Sequence, residues 1–196
     1  GGYFPPGSYW SIPIDELLKT PGYATGAAKD AEREQAKKLL ADAGFTSGLA
    51  FSIIYRTGSP LYYEEPALIM KDQLAKIGVT MKLDPLPGTA FDARVNQRDL
   101  EGVVFGEGEP SDDPDVIFGS KYLCISGRNY AGYCNQKIDD LFSQQSQITD
   151  REARRKVVWD MQREAMKGLP KLAMGWATLI GARWPYVKNY DMGIGF

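Results

Sequence analysis

The 196-residue chain holds no histidine and two cysteines. Without an imidazole, no Ser-His-Asp or Cys-His mechanism can operate within it. The commonest transition-metal ligand is also missing, and two cysteines alone make no structural zinc site. Chemistry would have to rest on carboxylates, Lys, Tyr or Ser. The densest carboxylate group is one loop, which carries Glu107, Glu109, Asp112, Asp113 and Asp115. One reading is a paired-carboxylate catalytic site of glycosidase type. Another is a calcium loop, although the EF-hand spacing is lacking. The plain alternative is a solvated acidic turn in which Asp113-Pro114 starts a helix. By itself the loop favours that turn. Its position after the carboxyl end of a parallel strand, where ligands of open α/β sheets bind, favours a binding role. No metal site is expected.

Cys124 and Cys134 have nine residues between them, among them Gly127, Asn129 and Gly132. They are two free thiols or a clamp on the loop. With no other Cys and no His to recruit, the bond is favoured. Closing a loop of that size stabilises by roughly 2–3 kcal/mol in the chain-entropy treatment, and it implies an oxidising compartment. Tyr130, Tyr133, Trp176 and Trp184 stand at loop or strand ends. Aromatic residues there are core by default, but rigid aromatic walls also line pockets. Arg151, Arg154, Arg155 and Lys156 form a charge run on a helix, read as a solvated face beside Glu152 and Asp160.

Positioning these groups falls to the elements around them. Residues 1–28 are rich in Gly, Pro, Ser and aromatics and read as an extended leading segment, with a helical turn near Asp15–Lys19. Residues 29–196 read as an α/β lobe. Within it, Ala36, Leu39, Leu40 and Ala43 recur at helical spacing over Asp30–Ala43, with Gly44 as the stop. Leu49–Arg56 reads as a strand. Pro60–Ile77 reads as a helix with Ala67, Met70, Leu74 and Ile77 on one stripe. Val79–Leu86 is a second strand, Thr89 caps a helix to Asn96, and Gly102–Gly106 is a short buried strand. Short β-α-β-α-β connections predict parallel strands in a small open sheet. Helices are then expected at Pro114–Ser120, Asn135–Gln147 and Asp150–Met166, with a last strand at Lys171–Thr178 joining the sheet.

Composition bounds the rest. A net charge of −2 argues against a broad nucleic-acid surface. The uncharged stretch Leu172–Ala182 is far short of the roughly 20 residues a bilayer span needs. A start at Gly1-Gly2-Tyr3 and an end at Gly195-Phe196 read as a mature or excised segment.

Four stretches in order carry a family resemblance. They are Ala36–Phe45 (AKKLLADAGF), Leu68–Leu83 (LIMKDQLAKIGVTMKL), Gly106–Phe118 with its Asp-Pro-Asp, and Asn129–Asn135 followed by Ile138–Leu141 and Ala153–Pro170. Together they resemble the C-terminal lobe of the oligopeptide/dipeptide-binding family of ABC-transporter solute-binding proteins, family 5. The resemblance covers about residues 28 to 190. It implies a type II periplasmic-binding-protein lobe, with an open, mainly parallel sheet flanked by helices. It also implies a function without catalysis or cofactor: capture of peptide or another small solute between this lobe and an N-terminal lobe preceding residue 1, then delivery to an ABC permease in the membrane. The implied location is periplasmic or extracellular. Peptide is the leading solute class, and sugars, opines, glutathione and nickel complexes occur among relatives.

Peptide-binding members resemble one another in a Trp and an Asp ahead of the Asp-Pro motif, the Asp pairing with the peptide's α-amino group. Here the Trp is absent. The Asp position falls on Pro110 without a gap and on Glu109 with a one-residue insertion. With Glu109 and Arg94 from the resemblance, and the acidic loop and aromatic residues read above, the candidate ligand-binding residues are Glu107, Glu109, Asp112, Arg94, Tyr130, Tyr133 and Trp176. Arg94 matches a position that is basic in some oligopeptide binders and would meet a carboxylate. Two other functions compete: a hydrolase using Glu107 and Glu109, and a protein-interaction module that has left transport.

Overall fold

The computed structural model describes residues 2–104, 112–176 and 182–189. The chain divides into two compact units. One is continuous, Pro13–Glu107; the other combines two segments, Gly1–Ile12 and Gly108–Phe196.

The continuous unit opens with the short α1 (Ile14–Leu17) and the long α2 (Ala27–Asp42), followed by β1 (Leu49–Arg56). A 3₁₀ turn at Pro60–Tyr62 leads into α3 (Glu64–Ala75), then β2 (Val79–Leu86) and α4 (Gly88–Gln97). β1 and β2 pair in parallel, in register from Leu49 opposite Val79 to Arg56 opposite Leu86. This is the arrangement that the β-α-β spacing predicts. The sheet buries Ile53, Tyr55 and Met81 with Ala67 of α3 and Val104, and Met70 and Leu74 pack at the margin. Three of the four residues on the expected α3 stripe are therefore core or core-margin residues.

Four local expectations are corrected. The helix expected from Pro60 starts only at Glu64, because Pro60–Tyr62 first closes a tighter turn. α4 begins at Gly88 behind Pro87, with no side-chain cap, so Thr89 lies inside the helix. α2 buries none of its residues, and Leu39 on its apolar stripe is 61% exposed. The third strand is reduced, among the described residues, to a parallel bridge between Ile54 and Val103. The Ile54 N–H donates to the Gly102 carbonyl and the Val104 N–H to the Ile54 carbonyl.

Gly48 and Gly78 precede the two strands at φ +92° and +84°. Because Leu49 lies opposite Val79, the two turns run side by side, and a Cβ on Gly48 would stand 2.9 Å from the Gly78 carbonyl oxygen. Strain and crowding then act together. Gly48→Ala is expected to lower stability by about 1–2 kcal/mol in urea unfolding. An unchanged urea midpoint would show that the turn yields freely.

The two-segment unit contains α5 (Pro114–Lys121), α6 (Gln136–Gln145) and α7 (Arg151–Gly168). Each begins as its sequence dictates. Asp113 accepts from the Asp115 N–H at 2.9 Å, Asn135 from the Lys137 N–H at 3.0 Å, and Asp150 from the Ala153 N–H at 2.8 Å. Each side chain satisfies one N–H that the first helical turn leaves without a partner. Pro114 at the first turn of α5 forfeits no helical hydrogen bond. The core joins Phe118 and Tyr122, Ile138, and Val158, Met161 and Ala165 to Tyr3, Phe4 and Trp10 from the chain start. The Gln162 amide, itself buried, donates to the Trp10 carbonyl at 2.8 Å, and the Trp159 indole donates to the Ser11 carbonyl at 2.9 Å. The strand expected at 171–178 does not form over residues 171–176: Leu172 and Met174 are exposed, and the described sheet is two-stranded. Residues 177 and 178 lie outside the described residues.

Candidate functional site

The described part of the acidic loop is tied into the two-segment unit. Asp112 accepts the Ser8 hydroxyl at 2.9 Å. Asp113, besides capping α5, meets the Arg154 guanidinium at 3.0 Å, and Asp115 lies 3.5 Å from the same group. Fully buried Gln145 donates to Asp115 and accepts from Arg154 Nε at 2.7 Å. The Arg154 guanidinium lies 4.9 Å from the centre of the Trp10 ring. Arg154 is thus a largely buried tie, 19% exposed at its side chain, and this corrects its reading as part of a solvated face. Helical spacing carries the missed signal: residues 154, 158, 161 and 165 fall on one stripe, and the last three are core. The rest of the basic run fits the surface reading better. Arg155 pairs with Glu152 at 2.6 Å, and Lys156 is exposed.

Cys124 and Cys134 are disulfide-bonded, with Cα atoms 4.5 Å apart. Inside the closed loop, buried Asn129 donates to the Leu123 and Tyr133 carbonyls at 3.0 and 2.6 Å. The Cys124 N–H donates to Asp139 at 3.1 Å, tying the loop to α6.

The residues singled out for ligand binding fall in both units and, in part, outside the described residues. Glu107 and Glu109 lie outside the described residues. Arg94, in the continuous unit, holds Asp84 at 2.8 Å and Asp99 at 3.3 Å. The other four belong to the two-segment unit. Tyr130 is half-buried. The Tyr133 hydroxyl accepts from Asn135 at 3.1 Å, and its ring lies so close to Gly168 that a Cβ there would collide with it. The Trp176 indole donates to the Gly2 carbonyl at 3.1 Å. Among the described residues, no three His, Cys, Asp or Glu side chains gather to hold a metal ion. Nor is any described helix long and apolar enough to cross a membrane.

Glu164 of α7 sits beneath the start of α6. Hydrogen bonds from Lys167, from the capping Asn135 and from Lys137 hold its carboxyl at about 2, against an ordinary 4.5. A carboxyl lowered on folding stabilises above its unfolded value, and that stability fades as pH falls through the folded one. The melting temperature is therefore expected to fall between about pH 4.5 and pH 2. Glu164→Gln should flatten that fall. Identical pH profiles for parent and variant would remove Glu164 from the acid sensitivity.

Residues 3–128 match the family described as bacterial extracellular solute-binding proteins, family 5 Middle. A heme-binding protein A of Haemophilus influenzae is 27% identical over 165 residues, and a di/tripeptide-binding protein 4 of Pseudomonas aeruginosa is 23% identical over 163. Each match takes in 80% of this chain and 30% of the relative. The structure of a Pseudoalteromonas dipeptide-binding protein in complex with Met-Leu superposes with a TM-score of 0.71 at 27% identity, covering 86% of this chain and 32% of that one. Parallel sheet, flanking helices and these likenesses define the class as the α/β fold of type II periplasmic binding proteins. The chain belongs to the bacterial extracellular solute-binding proteins of family 5. It spans about 30% of the length of the curated relatives it matches.

Proposed function

We propose that residues 29–196 are the ligand-binding lobe of the solute-binding component of an ABC importer. A second lobe, outside these residues, would close on the solute, and the loaded protein would deliver it to a membrane permease. One observation supports the reading most directly. The chain superposes over 86% of its length on a dipeptide-binding protein in complex with Met-Leu while accounting for 32% of that protein. A lobe-sized piece of a two-lobed receptor has this relation to the whole. Peptide is the leading solute, in keeping with the di/tripeptide-binding relative.

Such a protein works by binding, with no bond made or broken. Aromatic walls and a few charged anchors supply affinity and orientation. Glu109 is the proposed partner for a ligand ammonium, with Glu107 and Asp112 adding negative charge beside it. Tyr130, Tyr133 and Trp176 are the proposed aromatic contribution. Arg94 holds Asp84 through Nη1 and Asp99 through Nε, and its Nη2 donors are the ones proposed for a ligand carboxylate. The disulfide fits a location outside the cytoplasm, periplasmic or at the cell surface.

Native mass spectrometry of the full-length protein that contains this chain tests the proposal. Retained di- to oligopeptide, displaced by added dipeptide, is the expected result. Haem absorbance on the purified protein would redirect the solute class toward that of the other relative. Turnover of a glycoside or peptide panel would overturn the binding-only reading.

A further inference from the structure

The two-segment unit contains an open cavity of about 580 Å³, within the size range of small-molecule sites. Trp10, Asp112, Asp113, Ile148, Arg151 and Arg154 line it. Two of its four charges cancel, because Asp113 and Arg154 are paired at 3.0 Å. The other two have no ion pair among the described residues. Asp112 accepts only the Ser8 hydroxyl. The Arg151 guanidinium carbon lies instead over aromatic rings, 3.9 Å from the centre of Tyr9 and 5.9 Å from that of Trp10. Among the described residues its N–H donors meet no acceptor, which leaves them available to a ligand. Both carboxylates adjacent in sequence are already engaged: Asp150 caps α7 at the Ala153 N–H, 2.8 Å away, and Glu152 takes the Tyr9 hydroxyl at 2.5 Å and Arg155 at 2.6 Å.

An anion and a cation that form no ion pair among the described residues, with an apolar wall of Trp10 and Ile148, suit a ligand with opposite charges and an apolar side chain. A simple anion would gain from Arg151 but face Asp112. A simple cation would meet the reverse.

We propose that this pocket binds a free α-amino acid as its zwitterion, ammonium to Asp112, carboxylate to Arg151 and side chain against Trp10 and Ile148. Every lining residue lies within one unit, so the proposal does not depend on closure between lobes. The two readings share Asp112 alone, so loss of leucine binding with peptide binding retained would overturn this proposal and leave the transport reading standing.

L-Leucine, leucinamide and N-acetyl-leucine are the probes, titrated into the ¹⁵N-labelled chain. The Trp10 indole N–H and the Arg151 side-chain N–H resonances are followed. Leucine is expected to shift both and to saturate. Leucinamide lacks the carboxylate and N-acetyl-leucine the ammonium, so each should bind at least about tenfold more weakly. Asp112→Asn and Arg151→Gln should each weaken leucine about tenfold. Lys156→Gln, an exposed change outside the cavity lining, should leave it unchanged. Because the three probes are compared on the unaltered chain, a misfolded variant cannot mimic the result. Unmoved Trp10 and Arg151 signals, or equal binding of all three probes, would overturn the proposal.

Discussion

Phe118→Ala is expected to lower stability by about 3–5 kcal/mol. Phe118 is fully buried, with ring centres at 5.9 Å from Tyr3, 6.1 Å from Phe4 and 4.9 Å from Tyr122. Truncation removes the transfer free energy of the ring and leaves a cavity among rigid aromatic neighbours that cannot collapse into it. It also loosens the attachment of the chain start, because Tyr3 and Phe4 reach the core largely through this ring. Phe118→Leu keeps much of the apolar volume and should cost about 1–2 kcal/mol. Urea unfolding followed by near-ultraviolet circular dichroism measures both. Equal urea midpoints for the Ala variant and the parent would mean that the aromatic cluster contributes no packing energy.

Arg154→Ala carries the second largest expected effect, a loss of about 2–3 kcal/mol. Removing the guanidinium leaves buried Gln145 one partner short and Asp113 and Asp115 without their cation. Orphaning buried polar groups costs more than the net worth of the bonds themselves. Both carboxylates are partly in water, which holds the figure below that of a fully buried pair. Arg154→Met retains an apolar stem over Trp10 and so separates packing from charge. A double-mutant cycle with Asp113→Asn should give a coupling of about 1 kcal/mol or more. Additive single effects would show that the ion pair does not connect α7 to the start of α5.

How far the sequence could be read depended on the range of the cause. Helix starts depend on a few neighbouring atoms, and Asp113, Asn135 and Asp150 were identifiable as caps or helix boundaries from their types and positions alone. The parallel pairing of β1 and β2 followed from an intervening helix and short turns. The cysteine bond followed from elimination. Other features depend on distant partners. Leu172 and Met174 have an alternating pattern, but a strand needs a neighbour, and residues 171–176 have none among the described residues. The apolar stripe of α2 shows the same limit, since amphipathicity identifies a face without saying what covers it. Arg154 was hidden by its setting in a basic run, where charge drew more attention than helical phase. The engagement of Arg94 was illegible for the same reason. Nothing near Arg94 in sequence signals that Asp84 and Asp99 both engage it.

The attachment of residues 2–12 to α5 and α7 also constrains the order of synthesis. Trp10 receives its hydrogen bond from Gln162, and Ser8 reaches Asp112, so the chain start waits for partners 152 and 104 residues downstream. At about 5–20 residues per second, the ribosome needs on the order of 10–30 s to supply the later one. The continuous unit, complete by Glu107, can fold during that interval, whereas Tyr3, Phe4 and Trp10 wait without their α5 and α7 partners. For that period the nascent chain displays a ready target for a holding chaperone, which the emergence of α7 then competes away.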